Sequence, residues 1–146
     1  MNRRRLLTTP LAALATWPAV AAGAKTDAFE GDPYKSHPWP DMRREFLGKG
    51  ARVTFDARVV VQGPSFAEDP MNVPISVRVD PVLGPVRRIV VLVDRNPIRQ
   101  VLSYEPAEAL ASIAFRFKLE QASPVRAAAQ TRDGRWHVGG TWVDSA

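Results

Sequence analysis

Two histidines, His37 and His137, are the only imidazoles among 146 residues, and there is no cysteine. Covalent catalysis needs a nucleophile beside a base, and a structural zinc or iron site needs several nitrogen or sulfur ligands. The missing thiols exclude disulfides, thiolate metal sites and thiol nucleophiles within this sequence. His37 stands in a polar stretch and His137 beside Trp136; neither completes a triad, and both read as structural or solvent-facing. Asp80, Asp94, Glu105 and Asp133 fall at segment ends, where turn capping accounts for them. Glu68, Asp69 and Asn72 share one loop without the spacing of a calcium motif. The expectation is therefore no catalytic residue, no metal and no cofactor.

One further feature invites a functional reading. Gly139 and Gly140 interrupt an alternating segment, and paired glycines in a strand mark a bulge or the close approach of another backbone. Trp136 and Trp142 share one face of that segment by parity, which predicts that both are core.

The elements that must position these residues follow from composition and pattern. Hydrophobic residues make up 45%, charged 24% and aromatic 8%, with a mean hydropathy of -0.18. Those values suit one globular domain. Thirteen prolines and nine glycines demand frequent turns, hence short strands. The formal charge is +5 and the pI about 10.2, but Arg3, Arg4 and Arg5 stand together at the N-terminus. Without them 17 basic residues face 15 acidic ones. Phe115 and Phe117 alternate with Arg116 and Lys118, which places the rings inside and the charges outside singly; no nucleic-acid platform results.

Residues 1–24 read as an export leader: arginines, a weakly apolar stretch, then the small residues Ala22, Gly23 and Ala24. The arginine pair before Leu6 and Leu7 favours the twin-arginine route, and Pro10 and Pro18 make the stretch a poor membrane span. Cleavage after Ala24 leaves a periplasmic chain with no membrane contact. Residues 25–38 then read as an extended arm. A short helix starts at Pro40, with Met42 and Phe46 on one face and Gly48 as its stop.

Alternation predicts strands over 53–61, 73–79 and 113–119; Ile89 to Val93 is an unbroken apolar run that fits a central strand covered on both faces. Segments 98–104, 125–131 and 135–143 complete about seven strands, the last two joined by a turn at Asp133-Gly134. The expected fold is all-β, an immunoglobulin-like β-sandwich with a short N-terminal helix.

Over about residues 39–143 the ordered motifs resemble the SoxY-type sulfur carriers, and most closely the SoxYZ-like variant associated with quinoprotein dehydrogenases. The resemblance rests on Phe66-Ala67-Glu68-Asp69 before Met71-Asn72-Val73-Pro74-Ile75, on the run Ile89 to Asp94 before Asn96-Pro97, and on Thr131 to Trp142 with His137-Val138-Gly139-Gly140. It implies a non-enzymatic carrier domain, 39–146, that pairs with a SoxZ-like domain or subunit and meets periplasmic sulfur-oxidation enzymes or a quinoprotein dehydrogenase. It marks Glu68, Asn72, Asp94 and Asn96 as motif-loop residues and Gly139, Gly140 and Thr141 as the carrier-arm region. Thr141 stands where such carriers place cysteine, and a hydroxyl forms no persulfide. The expectation is a chain that stops short of a cysteine-bearing arm and a fused SoxZ-like domain. The alternative is a cysteine-free extracytoplasmic binding or assembly module for a quinoprotein dehydrogenase. An iron superoxide reductase on the same fold fails for want of ligands.

Overall fold

The computed structural model describes residues 26–146; the leader lies outside them. Nine strands form two sheets. Strands β1 (Val53–Phe55), β9 (Trp136–Ser145), β8 (Ser123–Thr131), β5 (Val86–Val93) and β6 (Gln100–Tyr104) lie side by side in that order, and β3 (Phe66–Ala67) adds to the far end of β9. The second sheet is β2 (Val59–Gln62), β4 (Val73–Val79) and β7 (Ser112–Phe117).

Period two builds the core. On β4, Val73, Ile75, Val77 and Val79 point inward and are buried, opposite Ile89, Val91 and Val93 of β5 and Val125, Ala127 and Ala129 of β8. The other face of the large sheet is buried as well. Val90, Leu92, Ala128, Trp136 and Val138 meet Trp39, Met42 and Leu47 from the N-terminal segment. The unbroken apolar run in β5 is thus explained by a third layer on the sheet. That layer is α1 (Trp39–Met42), continued by one π-helical turn (Arg43–Leu47) and stopped at Gly48, φ 107°.

Four sequence expectations need correction. The segment 53–61 is two strands: Asp56 accepts hydrogen bonds from the Arg58 backbone and guanidinium, and the chain turns there from the large sheet to the small one. With β3, that split raises seven strands to nine. Trp136 is buried as expected, but Trp142 is 39% exposed, since the third layer ends short of it, and Arg95 lies over its ring at 5.2 Å.

Nor is 26–38 an extended arm. It is a run of turns whose Asp32 carboxylate accepts from the backbone N–H of Tyr34 (3.1 Å) and Ser36 (2.8 Å) and ties the segment, as a strap, to the sheet. Arg126, fully buried on β8, donates from Nε and Nη2 to Asp94 (both 2.8 Å) and from Nη1 and Nη2 to Asp32 (2.5 and 2.9 Å). Its guanidinium also lies 4.6 Å from the Trp39 ring centre and 5.0 Å from that of Tyr34. Asp94, expected to cap a turn, is a buried ion-pair partner instead.

Removing the cation alone would strand two buried carboxylates. Arg126→Met is expected to cost about 3–5 kcal/mol in chemical denaturation, and Asp32→Asn clearly less, because the two-pronged pair with Asp94 survives it. Equal losses in the two variants would contradict this account.

Candidate functional site

The glycine pair sits in the middle of β9, at a gap in its edge. On one side β9 pairs with β8 from Trp136 to Val143. On the other side β1 runs parallel to Trp136, His137 and Val138, and β3 parallel to Asp144 and Ser145. Between them the residues from Gly139 to Val143 have no strand partner, because the chain leaves this sheet after Asp56 to form β2 and returns only at Phe66.

Close approach from both faces explains both glycines. A Cβ at residue 139 would lie 1.8 Å from the carbonyl oxygen of Val59, where β2 crosses the inner face. A Cβ at residue 140 would lie 3.1 Å from the Tyr34 ring and 3.1 Å from the Val125 carbonyl. Thr141 stands opposite Val125 in the ladder. The three residues that the resemblance assigns to a carrier arm are therefore strand interior, bonded to β8 along their length.

A cleft of about 400 Å³ opens here, walled by Pro33, Tyr34, Phe55 and Val59 and reaching Gly139 and Gly140, with Arg126 beneath. Burial raises the pKa of Tyr34, whose hydroxyl lies beside Gly140. Burial also opposes the charge of Arg126, but the hydrogen bonds it donates to Asp94 and Asp32 outweigh this and raise the pKa of the guanidinium. At the rim Asp56 receives the Arg58 guanidinium and His137 Nδ1, the latter at 3.0 Å. The Arg58 hydrogen bond is the main reason that its carboxyl titrates far below its ordinary 3.8, with the Arg58 backbone and His137 adding to it against burial. The His137 side chain makes no other hydrogen bond among the described residues; the pair fastens β9 to the β1–β2 turn.

The motif-loop residues gather at the end of the sandwich beyond Val143. Asn96, buried, donates to the Lys118 carbonyl (2.8 Å) and accepts from Glu120 N–H (3.0 Å), locking two loops together. Leu119 N–H donates to the Pro70 carbonyl, which brings in the third loop. There Asn72 donates to Asp69 and Glu68 is exposed. Asp69 also accepts from Met71 N–H, so its carboxylate caps its own loop. Among the described residues no group of three or more His, Cys, Asp or Glu is placed to hold a metal.

Asp32, Tyr34 and Arg126 were not singled out by sequence reasoning. The signal was there: Arg126 interrupts Val125, Ala127, Ala128 and Ala129, a run with no polar alternation. A charge in a strand buried on both faces requires carboxylates.

The family of the sulfur oxidation protein SoxY matches the chain over residues 43–146. No curated protein matches it. Among solved structures, the sulfur carrier protein SoxY from Chlorobium limicola f thiosulfatophilum is similar with a TM-score of 0.63 and 15% identity, over 75% of this chain and 96% of that one. A putative superoxide reductase from Thermotoga maritima has a TM-score of 0.52 and 16% identity, over 67% and 89%. At these identities both likenesses concern the fold, an immunoglobulin-like sandwich as expected.

Gly139→Ala, meeting backbone, is expected to lose about 3 kcal/mol of stability, and Gly140→Ala, meeting partly a movable ring, about 1 kcal/mol, in urea unfolding. The depressed pKa of Asp56 stabilises the fold above its unfolded value of 3.8 and is lost as pH falls below it. Thermal unfolding of Asp56→Asn between pH 5 and about 2 should therefore fall less steeply with acidity than that of the wild type; parallel slopes would remove Asp56 from the acid response.

Proposed function

The chain belongs to the SoxY family of sulfur oxidation proteins, and from that premise we propose that it is a periplasmic carrier-type domain, not an enzyme, exported through its twin-arginine leader and paired with a SoxZ-like domain in sulfur-compound oxidation or a quinoprotein dehydrogenase-linked pathway. Membership of the family carries the reading. The order of its motifs agrees with it.

The partner's place is the outer face of the three-stranded sheet. Gln62, Ser76 and Ala114 are aligned across β2, β4 and β7, with Pro74 beside Arg116 on the next row. These residues line a shallow groove of about 570 Å³. The large sheet is covered on its outer face by the helix and strap, whereas among the described residues nothing covers this one. A sheet face left uncovered in this way suits packing against a second sandwich.

The sequence holds no cysteine, so its 146 residues bind no sulfur covalently through a thiol. Their part in the proposal is the folded domain and its partner surface. Two measurements test this. In sizing chromatography the full chain and a SoxZ-like domain should co-elute as a heterodimer, and Ala114→Arg should separate them without changing the circular dichroism; separate elution of the wild-type pair overturns the pairing. The intact mass of the native periplasmic product then decides between a longer, cysteine-bearing carrier and the cysteine-free module that serves a quinoprotein dehydrogenase by binding alone.

A further inference from the structure

At the end of the sandwich opposite Trp142, the β4–β5 and β6–β7 connections enclose a cleft of about 610 Å³. That volume falls within the roughly 300–1,000 Å³ of small-molecule sites. Val79, Pro81, Pro85, Pro106 and Leu110 supply apolar walls.

The walls are preformed. Pro81 opens a single 3₁₀ turn, Pro81–Leu83, whose first free N–H, that of Val82, donates to the Asp80 carboxylate at 2.9 Å. The facing loop closes through Ala109 N–H to the Pro106 carbonyl at 2.8 Å. Between these two residues Ala107 has φ 52°, in the left-handed region that a β-carbon disfavours. A residue held there against its preference reflects a loop shape fixed by its surroundings. Leu110, three residues on, is 80% exposed at the cleft, the most exposed large hydrophobic side chain among the described residues.

The charges are unequally engaged. Asp80, the one carboxylate of the lining, is tied to its own turn and lies near Arg58. Arg78, on the exposed face of β4, lines the cleft and makes no salt bridge or side-chain hydrogen bond among the described residues. An apolar cavity with one free cation at its mouth complements a molecule of opposite character at its two ends.

We propose that this cleft is a binding site for a small apolar molecule carrying one anionic group, its body against the prolines and Leu110 and its anion on Arg78. The site does not rest on the SoxY reading; its Arg78 and Ser112 form the row next to Ser76 and Ala114, so it adjoins the groove proposed for the partner.

The probe is 8-anilinonaphthalene-1-sulfonate, which joins an aromatic body to one sulfonate, with N-phenyl-1-naphthylamine as its uncharged counterpart. Fluorescence titration of the full chain should saturate at one molecule of each. Arg78→Gln should weaken the sulfonate about five-fold and leave the neutral probe within about two-fold; Leu110→Asp should weaken both. Failure of both probes to saturate at one per chain overturns the site, as does undiminished binding by Leu110→Asp. Equal weakening of both probes by Arg78→Gln overturns the assignment of the anion. Both side chains are exposed, so unchanged circular dichroism and unfolding midpoints confirm that the variants are folded, and Leu110→Ser repeats the second test if Leu110→Asp is not.

Discussion

The third layer of the molecule hangs on one buried cation. Arg126 projects from the outer face of β8 and has no route to water, so its charge must be answered inside the protein. Two carboxylates answer it, from parts of the chain on either side: Asp94 at the end of β5 and Asp32 in the N-terminal strap. The second carboxylate leaves the cluster with excess negative charge, which the Tyr34 and Ser36 N–H groups offset. The strap is therefore placed by electrostatics rather than by any strand pairing. Once placed, it presses Tyr34 on Gly140 and lets Trp39 and Met42 seal the outer apolar cluster.

The periodic elements were legible in the sequence because burial wrote a simple pattern into them. On β4 and β7 one face is wet and the alternation is clean; on β5 the run Ile89 to Val93 announces a strand covered on both sides. The hairpin was equally plain, with Gly134 at φ 82° between β8 and β9. What could not be read were events that depend on partners far away in the chain. The break at Asp56 looks like continued alternation, since Val53 and Phe55 on one side and Val59 and Val61 on the other keep the same parity while serving different clusters. The strap carries no period at all, and its one informative residue, Asp32, acquires meaning only beside Arg126. Trp142 misleads for the opposite reason: parity assigns its face correctly, but parity says nothing about where the covering layer stops.

The glycine pair shows how one local signal supports two readings. Family resemblance makes it part of a carrier arm, whereas packing makes it the point where the large sheet is pinched between the β2 backbone and the strap. The geometry favours the second for these residues, because a side chain at 139 has no space on its face. The motif loops are likewise structural in their bonds: Asn96 and Asp94 join elements, and Asp69 and Asn72 hold a turn.

The pairing of early strands with a late one also has a kinetic side. Val53 lies beside Trp136, Phe66 beside Asp144, and Asp32 reaches a cation 94 positions away. Such non-local closures are entropically expensive and slow a chain's search for its native topology. The hairpin of β8 and β9 supplies the surface that β1, β3 and the strap bind. Without β9 both early strands are unsatisfied edges, open to pairing with other chains.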